Sequence, residues 1–408
     1  MKSKKVNFHL IFVIASITSL VAIYSYIWFR LISTPTFYMN IDFNAFYAAG
    51  RISQNEGPSH VYDLALQQKY EGQIGGIEIP PAEVPSQNVA IFAYPPYLIP
   101  LLQIIALDDY AVSLVLWTLL MVVCFILGAI PLMYIAKDLD LPREQWLTLL
   151  AGILLFYPCF RSIISGQPSG ILYLGVSLWL FGILSGRDWL SALGLTLTAV
   201  KPHITLLLAV PFIFRRRNVW WWFMVGAAAL GVITLAYVGL DGIEGFLRLL
   251  IVSAGAEERF GTREANMINF IGITMRIFPL VPAYIIRAIG WGVYAVTLIG
   301  LCVLWSRSRQ IGEIQISIAV LLSIIAVPHL HAYDLVILMV PLLCLMLLLI
   351  RGRYWDAQNA LLLPFGISVI SLFSNPYDSL FHNIPYLVEL FILLGLLYPQ
   401  KISPKRVS

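Results

Sequence analysis

The chain has 408 residues, 59% of them hydrophobic and only 12% charged, with a net charge of +4. That charged share is about half of what a soluble globular chain carries, and uncharged runs of membrane-spanning length recur from end to end, so a water-soluble enzyme is excluded. The basic residues stand at the ends of apolar runs, where membrane insertion accounts for them, and they give no support to a nucleic-acid partner.

The first predicted span covers 6–30, and 6–29 hold no Asp, Glu, Lys or Arg. MKSKK ahead of it is the positive flank that signals and anchors share. The run is longer than a secretory signal, however, and WFRLISTPTF offers no small-x-small cleavage site, so an uncleaved span is expected. Residues 31–88 form a long outer loop. Its opening, DFNAFYAAGRI, has helix-forming content, with Phe43, Phe46, Tyr47 and the 49–50 pair spaced to give one apolar face, and predicts a short helix lying at the membrane surface. NEGPSHVYD reads as a turn, and GQIGGIEIPPAEVPSQN, punctuated by Gly and Pro, as irregular. FAYPPYLIP returns the chain to the bilayer, with Pro95 starting a helix and Tyr94 and Tyr97 suited to the interface.

Further uncharged runs cover 84–107, 110–136, 145–160, 162–186, 218–240, 288–306, 314–333, 335–350 and 357–377, and an amphipathic run closes at 384–399. At about 20 residues per span they amount to roughly ten to twelve crossings. The expected class is an all-α polytopic membrane protein forming a single membrane-embedded domain, with the remaining spans in 89–399 and a cytoplasmic tail at 400–408. MKSKK, the arginines at 215–217, Arg307 with Arg309, Arg351 with Arg353, and the tail read as cytoplasmic, while the acidic stretches 31–83 and 241–264 read as outer. The segment 189–214 stays open. Pro202 disfavours helix at Lys201 and removes a backbone donor, so a break is expected there, in either one broken span or two half-spans that enter and return.

The four cysteines all fall in apolar runs with no CxxC pair, which suggests neither a disulfide framework nor a zinc site. Polar residues recur in otherwise apolar segments: Gln167; Lys201 and His203; Arg263, Asn266 and Asn269; His329, His331, Tyr333 and Asp334. Ionisable groups near bilayer depth commonly mark a pathway or site, although snorkelling or helix–helix hydrogen bonding explains any one of them singly. His331 and Asp334 can share a helical face, but His329 and His331 cannot, and no cluster completes a tetrahedral metal set. Asp42 has two readings: a helix N-cap taking a backbone N–H of Asn44 or Ala45, or a base taking a proton from a hydroxyl.

In their order along the chain, DFNAFYAAGR, VYD, YPP, the 166–167 Gly-Gln pair, AVKP and PHLHAYD resemble glycosyltransferase family 87 over about residues 38–345. The resemblance implies the GT-C membrane fold and transfer of a sugar from a polyprenyl-phosphate donor to a glycolipid or cell-envelope glycan. Mannosyltransferases are the best-known members and arabinofuranosyltransferases are among the relatives. It makes Asp42 the base. Lys201 and Arg263, with His331 as a third choice, would stabilise the departing phosphate, and Tyr94, Gln167, Asn269, Tyr333 and Asp334 would hold sugar hydroxyls or orient the cations. His203, Asn266 and His329 join that donor-binding set. His203 stands where the family often has Gln, and the late motif lacks the Ser-x-Trp and paired His of some mannosyltransferases. No cofactor or metal is implied, and no Gly-rich phosphate loop following a strand is present. A secondary transporter or lipid flippase is the rival reading, since such proteins also use midplane polar residues and broken helices. A non-catalytic scaffold is the other.

Overall fold

The structure, a computed structural model, describes residues 8–34, 41–74, 90–255 and 264–373. Arg263, most of the Gly/Pro-punctuated stretch and the closing run 384–399 lie outside the described residues. Among the described residues every regular element is helical. Six helices among the described residues are long and apolar enough to cross a membrane, and five shorter apolar helices accompany them.

Helix α1 (Phe8–Ser33) presents Ile11, Phe12, Ile14, Val21, Tyr26 and Phe29 outward, as a lipid-facing helix must. Tyr24 anchors it, stacking on Phe160 at 3.9 Å and donating to the Leu155 carbonyl at 3.0 Å.

The described part of the long loop expected on the outer side folds into a compact cap. Helix α2 (Phe43–Asn55) forms where expected, but its burial runs unbroken from Phe43 to Gly50, not along one face. It is wrapped by α3 (Leu64–Ile74) and by α4 (Ile99–Ile105) with the 3-10 turn Pro96–Leu98 ahead of it, so Pro95 precedes the helical turn and does not start it. The Ala-Ala-Gly run makes this possible, because a Cβ on Gly50 would stand 2.5 Å from both the Ala106 Cβ and the Leu102 carbonyl oxygen. Tyr47 donates to the Leu107 carbonyl at 2.9 Å, and Gln67 donates to the Val61 carbonyl at 2.8 Å while taking Phe92 N–H at 3.0 Å, which stitches α3 to the re-entering chain.

Helix α5 (Tyr110–Ile135), capped by Asp109 on Val112 N–H, leads to α6 (Arg143–Leu154) and α7 (Tyr157–Ser165). Then come α8 (Ser169–Leu184), α9 (Asp188–Thr198) and α10 (Pro202–Ala209), which runs on into the 3-10 turn Val210–Ile213. Helix α11 (Arg217–Gly255) breaks at Gly239, where φ is +67°. Helices α12 (Phe270–Ile277), α13 (Ala283–Arg307) and α14 (Glu313–Ala326) follow. After them the 3-10 segment Ala332–Leu338 enters α15 (Met339–Arg351), and α16 (Ala357–Ala360) and α17 (Leu363–Phe373) complete the described chain. The larger of two clusters of buried apolar residues runs through it from Phe43 to Ile367, and the smaller joins Leu20 and Tyr24 of α1 to Phe160 and Phe365.

The basic clusters gather at one end. Arg216 pairs with Asp188 and donates to the Ile183 carbonyl, each at 2.9 Å; Arg215 donates to the Arg309 carbonyl; Arg351 pairs with Glu313 at 2.7 Å. These contacts decide the open segment. α9 leaves that end at Asp188 and α10 brings the chain back to it at Arg216, so 189–214 enters and returns, with the expected break at Lys201 as its apex. Eleven residues of α9 rise about 17 Å, against about 30 Å of hydrocarbon. Lys201 therefore stands about 17 Å from the end that carries the basic clusters, a little over half of that hydrocarbon thickness.

Candidate active site

Asp42 immediately precedes α2 with helical backbone angles, φ −66° and ψ −16°, and its side chain makes no capping bond. An N-cap carboxylate curls back over its helix from an extended backbone; here Asp42 points away. Only its carbonyl serves the helix, accepting Ala45 N–H at 3.2 Å. The cap reading is thereby corrected. The carboxylate instead takes Gln167 Nε2 on Oδ2 at 2.6 Å.

Gln167 is delivered by the end of α7. Gly166, at φ +70°, turns the chain in a left-handed conformation, its N–H going to the Ile163 carbonyl and that of Gln167 to the Ser162 carbonyl, each at 3.0 Å. A Cβ at 166 would lie 2.4 Å from the Phe43 Cβ, so the approach of this turn to the start of α2 requires glycine. Trp117 Nε1 fastens the Gly166 carbonyl at 2.9 Å.

Gln167 Oε1 accepts from the Tyr94 hydroxyl, which in turn accepts from Lys201 Nζ at 2.9 Å. Lys201, 4% exposed, also sits 3.5 Å from Asp334 Oδ2 and lies over the rings of Tyr94 and Tyr333. Asp334 is wholly buried. It accepts from the Ser169 hydroxyl and the His331 N–H, each at 3.3 Å. Side chains from the outer cap, the α7–α8 turn, the α9–α10 apex and the Ala332–Leu338 segment thus form one hydrogen-bonded row: Asp42, Gln167, Tyr94, Lys201, Asp334.

Beside the row the aromatic rings of His203, His329, His331 and Tyr333 follow one another, with centroids 6.5, 4.9 and 5.4 Å apart. Among the described residues no three His, Cys, Asp or Glu side chains are grouped to hold a metal. Asn269 caps α12 through Gly272 N–H and donates to the Val327 carbonyl at 2.7 Å, which pins the HLHAYD segment in place without reaching the row. Asn266 lies in the short turn Glu264–Asn266, half-buried and likewise off the row.

Burial pushes the Asp42 carboxyl above the usual carboxylate range; the Gln167 hydrogen bond and the charges of Lys201 and Arg161 oppose this, while that of Asp334 adds to it. A second carboxyl, Glu71 on α3, accepts Ala90 N–H at 3.0 Å and is raised by burial to about 8, with Asp42 acting in the same direction. A separate open cleft of about 440 Å³ lies between Ser59–Leu64 and Asp241–Val252. Tyr62 forms part of its wall and donates to the Tyr94 carbonyl at 2.8 Å, so the cleft adjoins the row without containing it.

The sequence model of glycosyltransferase family 87 matches residues 92–328, more than half of the chain. The chain belongs to glycosyltransferase family 87. It is a membrane glycosyltransferase of the GT-C type, an integral membrane protein built wholly of helices in its described part. No curated protein and no solved structure matches it.

The matched span holds Tyr94, Gln167, Lys201, His203, Asn266 and Asn269; Asp42 and the His329–Asp334 group flank it. Two members of the site escaped the sequence reading. Ser169 lies two residues beyond the Gly-Gln pair, in a run read only as uncharged. Arg161 separates the uncharged runs 145–160 and 162–186 and read as a span end, yet its charge acts on Asp42, His331 and Tyr333. A lone arginine between two apolar runs was the available signal.

Proposed function

We propose that this glycosyltransferase moves a sugar, with mannose the first to test, from a polyprenyl-phosphate donor to a hydroxyl of a lipid-linked or cell-envelope glycan, with inversion at the anomeric carbon. The acceptor oxygen attacks the anomeric carbon as the bond from that carbon to the phosphate oxygen breaks. The electron pair leaves with the phosphate, and the acceptor's proton passes to Asp42. A single displacement inverts the centre, in contrast to the two-carboxylate retaining scheme of hydrolases. A phosphate is already a stable leaving group, so one base suffices and no general acid is needed.

The observation that carries this reading is the row from Asp42 to Asp334. Gln167 occupies one oxygen of Asp42 and leaves Oδ1 open to an acceptor hydroxyl. Tyr94 and Lys201 hold Gln167 in that orientation, and Asp334 holds Lys201. The rings of His203, His329, His331 and Tyr333 supply the wall against which a sugar would lie. The site stands at the end opposite the basic clusters, which the positive-inside rule assigns to the cytoplasm, so transfer takes place on the non-cytoplasmic side. The continuous apolar core supports a single membrane-embedded domain.

The test is transfer from polyprenyl-phosphate-mannose to a panel of membrane glycolipids by the purified protein in nanodiscs, wild type against Asp42→Asn. Wild type forms product with the inverted anomeric configuration, and the variant, folded and still binding donor lipid, loses turnover. Wild-type turnover in the Asp42→Asn protein removes Asp42 as the base. Consumption of a different polyprenyl-phosphate sugar replaces mannose and leaves the mechanism standing.

A further inference from the structure

We propose that Arg161 holds the phosphate of the lipid-linked donor and takes up the charge that builds on it as the sugar departs. This rests on the polyprenyl-phosphate reading above and assigns to one residue the role that sequence divides between Lys201 and Arg263.

Lys201 is already committed. It donates to the Tyr94 hydroxyl at 2.9 Å and pairs with the buried Asp334 at 3.5 Å, so its charge is largely neutralised before any ligand arrives. A phosphate recruiting it would have to separate a buried ion pair, which is strongly unfavourable when one partner is left uncompensated. Arg161 differs in each respect. It is half-buried, and among the described residues it enters no ion pair and donates no hydrogen bond. It is also the one charged residue in 145–165, within the candidate span Arg143–Ser165. A guanidinium at such depth without a carboxylate partner is costly unless an anion visits it.

Its placement suits the visitor. Arg161 rides on α7, which packs along the Ala332–Leu338 segment carrying Tyr333 and Asp334 and ends in the turn that presents Gln167 to Asp42. The Ser162 hydroxyl, next in sequence, donates to the Gln167 carbonyl at 3.3 Å, so the two functional side chains share one rigid piece of backbone. The charged groups facing this space are Asp42 and Asp334, both negative, and Lys201 and Arg161, both positive, with His331 and Tyr333 beside them. They balance. Remove Arg161 and the remaining set is net negative, which repels a phosphodiester. Arginine's planar fork also matches two phosphate oxygens at once, and a fixed cation where charge develops stabilises the transition state.

The experiment compares wild type, Arg161→Gln and Arg161→Lys in phosphatidylcholine nanodiscs. It measures binding of undecaprenyl phosphate and of uncharged undecaprenol, together with KM and kcat for the donor that the wild type consumes. Wild type prefers the phosphate. R161Q loses that preference by roughly tenfold or more, the scale of a charge-assisted hydrogen bond, and keeps its undecaprenol binding. R161K, which retains charge but not the fork, falls between, and keeps the test informative should R161Q fold poorly. An R161Q protein with the wild-type preference, an R161K protein no better than R161Q, or equal loss of both lipids overturns the role of Arg161 alone. A wild type that does not distinguish the two lipids overturns the donor reading and this assignment with it.

Discussion

Two side chains separate Asp42 from Lys201: Gln167 donates to Asp42 Oδ2 at 2.6 Å, and Tyr94 links Gln167 to Lys201 Nζ, 2.9 Å from its hydroxyl. All the donors in this chain point toward the carboxylate. Gln167 is therefore a positioning residue whose loss is felt at Asp42. Gln167→Leu removes a hydrogen bond to the charged form, so burial acts on the carboxyl with less opposition and the group titrates at higher pH. The expected result is a kcat about 10- to 100-fold lower at neutral pH and an acid limb of the pH–kcat profile displaced upward. A merely structural Gln167 would lower kcat without moving that limb.

The wild-type pH profile follows from the same group. Asp42 must be ionised to accept a proton, and its carboxyl is raised above the ordinary 3.8, chiefly by burial. Turnover should rise with pH and reach its plateau only above the normal carboxylate range. A profile already flat from the ordinary value upward, measured with a donor lipid whose charge is constant over the range, would sink this assignment.

Glu71 makes the outer cap sensitive to pH in the opposite sense. Unfolded, its carboxyl titrates near 4.5; folded, burial raises it to about 8. Between those values the folded chain keeps a proton that the unfolded chain gives up, so the contribution to stability is full below 4.5 and is lost as pH rises through 8. The apparent melting temperature, followed by tryptophan fluorescence, should fall across that window in wild type. It should fall less in Glu71→Gln, which keeps an acceptor for the Ala90 N–H. Parallel curves for the two proteins would show that Glu71 does not carry the effect.

Much of this was legible in sequence, and the reasons are local. Composition alone gives a helical membrane protein, because an uncharged run of span length has few other outcomes in water or lipid. The break before Pro202 follows from a missing backbone donor, Gln167, Lys201, Tyr333 and Asp334 announce themselves as polar interruptions of apolar runs, and Tyr94 enters only through the family resemblance. What was not legible depends on contacts between distant segments. The return of 189–214 is fixed by Arg216 reaching Asp188 and Ile183. The direction of the Asp42 side chain depends on a backbone angle and on Gln167. Asn269 looks like a ligand residue in sequence but spends its hydrogen bonds on Gly272 and Val327.

Gly166 tests whether the turn itself sets the site. Alanine there meets two penalties: a positive φ that side chains other than glycine adopt with strain, and a Cβ 2.4 Å from the Phe43 Cβ. Strain of this kind is about 1–3 kcal/mol before the clash is added. Relief comes by moving the turn away from α2, which withdraws Gln167 from Asp42. Gly166→Ala should therefore lower both the melting temperature and kcat, with an acid limb shifted in the direction of Gln167→Leu. A destabilised variant with an unmoved pH profile would separate the turn from the chemistry.

Lys201 and Asp334 form a buried pair, 4% and 0% exposed, 3.5 Å apart. Desolvating two charges is expensive, and the attraction between them offsets that only while both are present. Lys201→Met leaves Asp334 buried with the Ser169 hydroxyl and the His331 N–H as its remaining partners, and Asp334→Leu leaves Lys201 with Tyr94. Each single change should destabilise the protein by about 3–5 kcal/mol, whereas the double change, apolar against apolar, should recover most of that loss. Activity should not return with the fold. Without Lys201 the Tyr94 hydroxyl that orients Gln167 loses its donor, and the charge balance that admits an anionic donor lipid is altered. Melting temperatures and kcat for the four proteins form a double-mutant cycle in which stability couples strongly. A double variant that is both stable and fully active would show that the ion pair serves the fold alone and that the row from Asp42 ends at Tyr94.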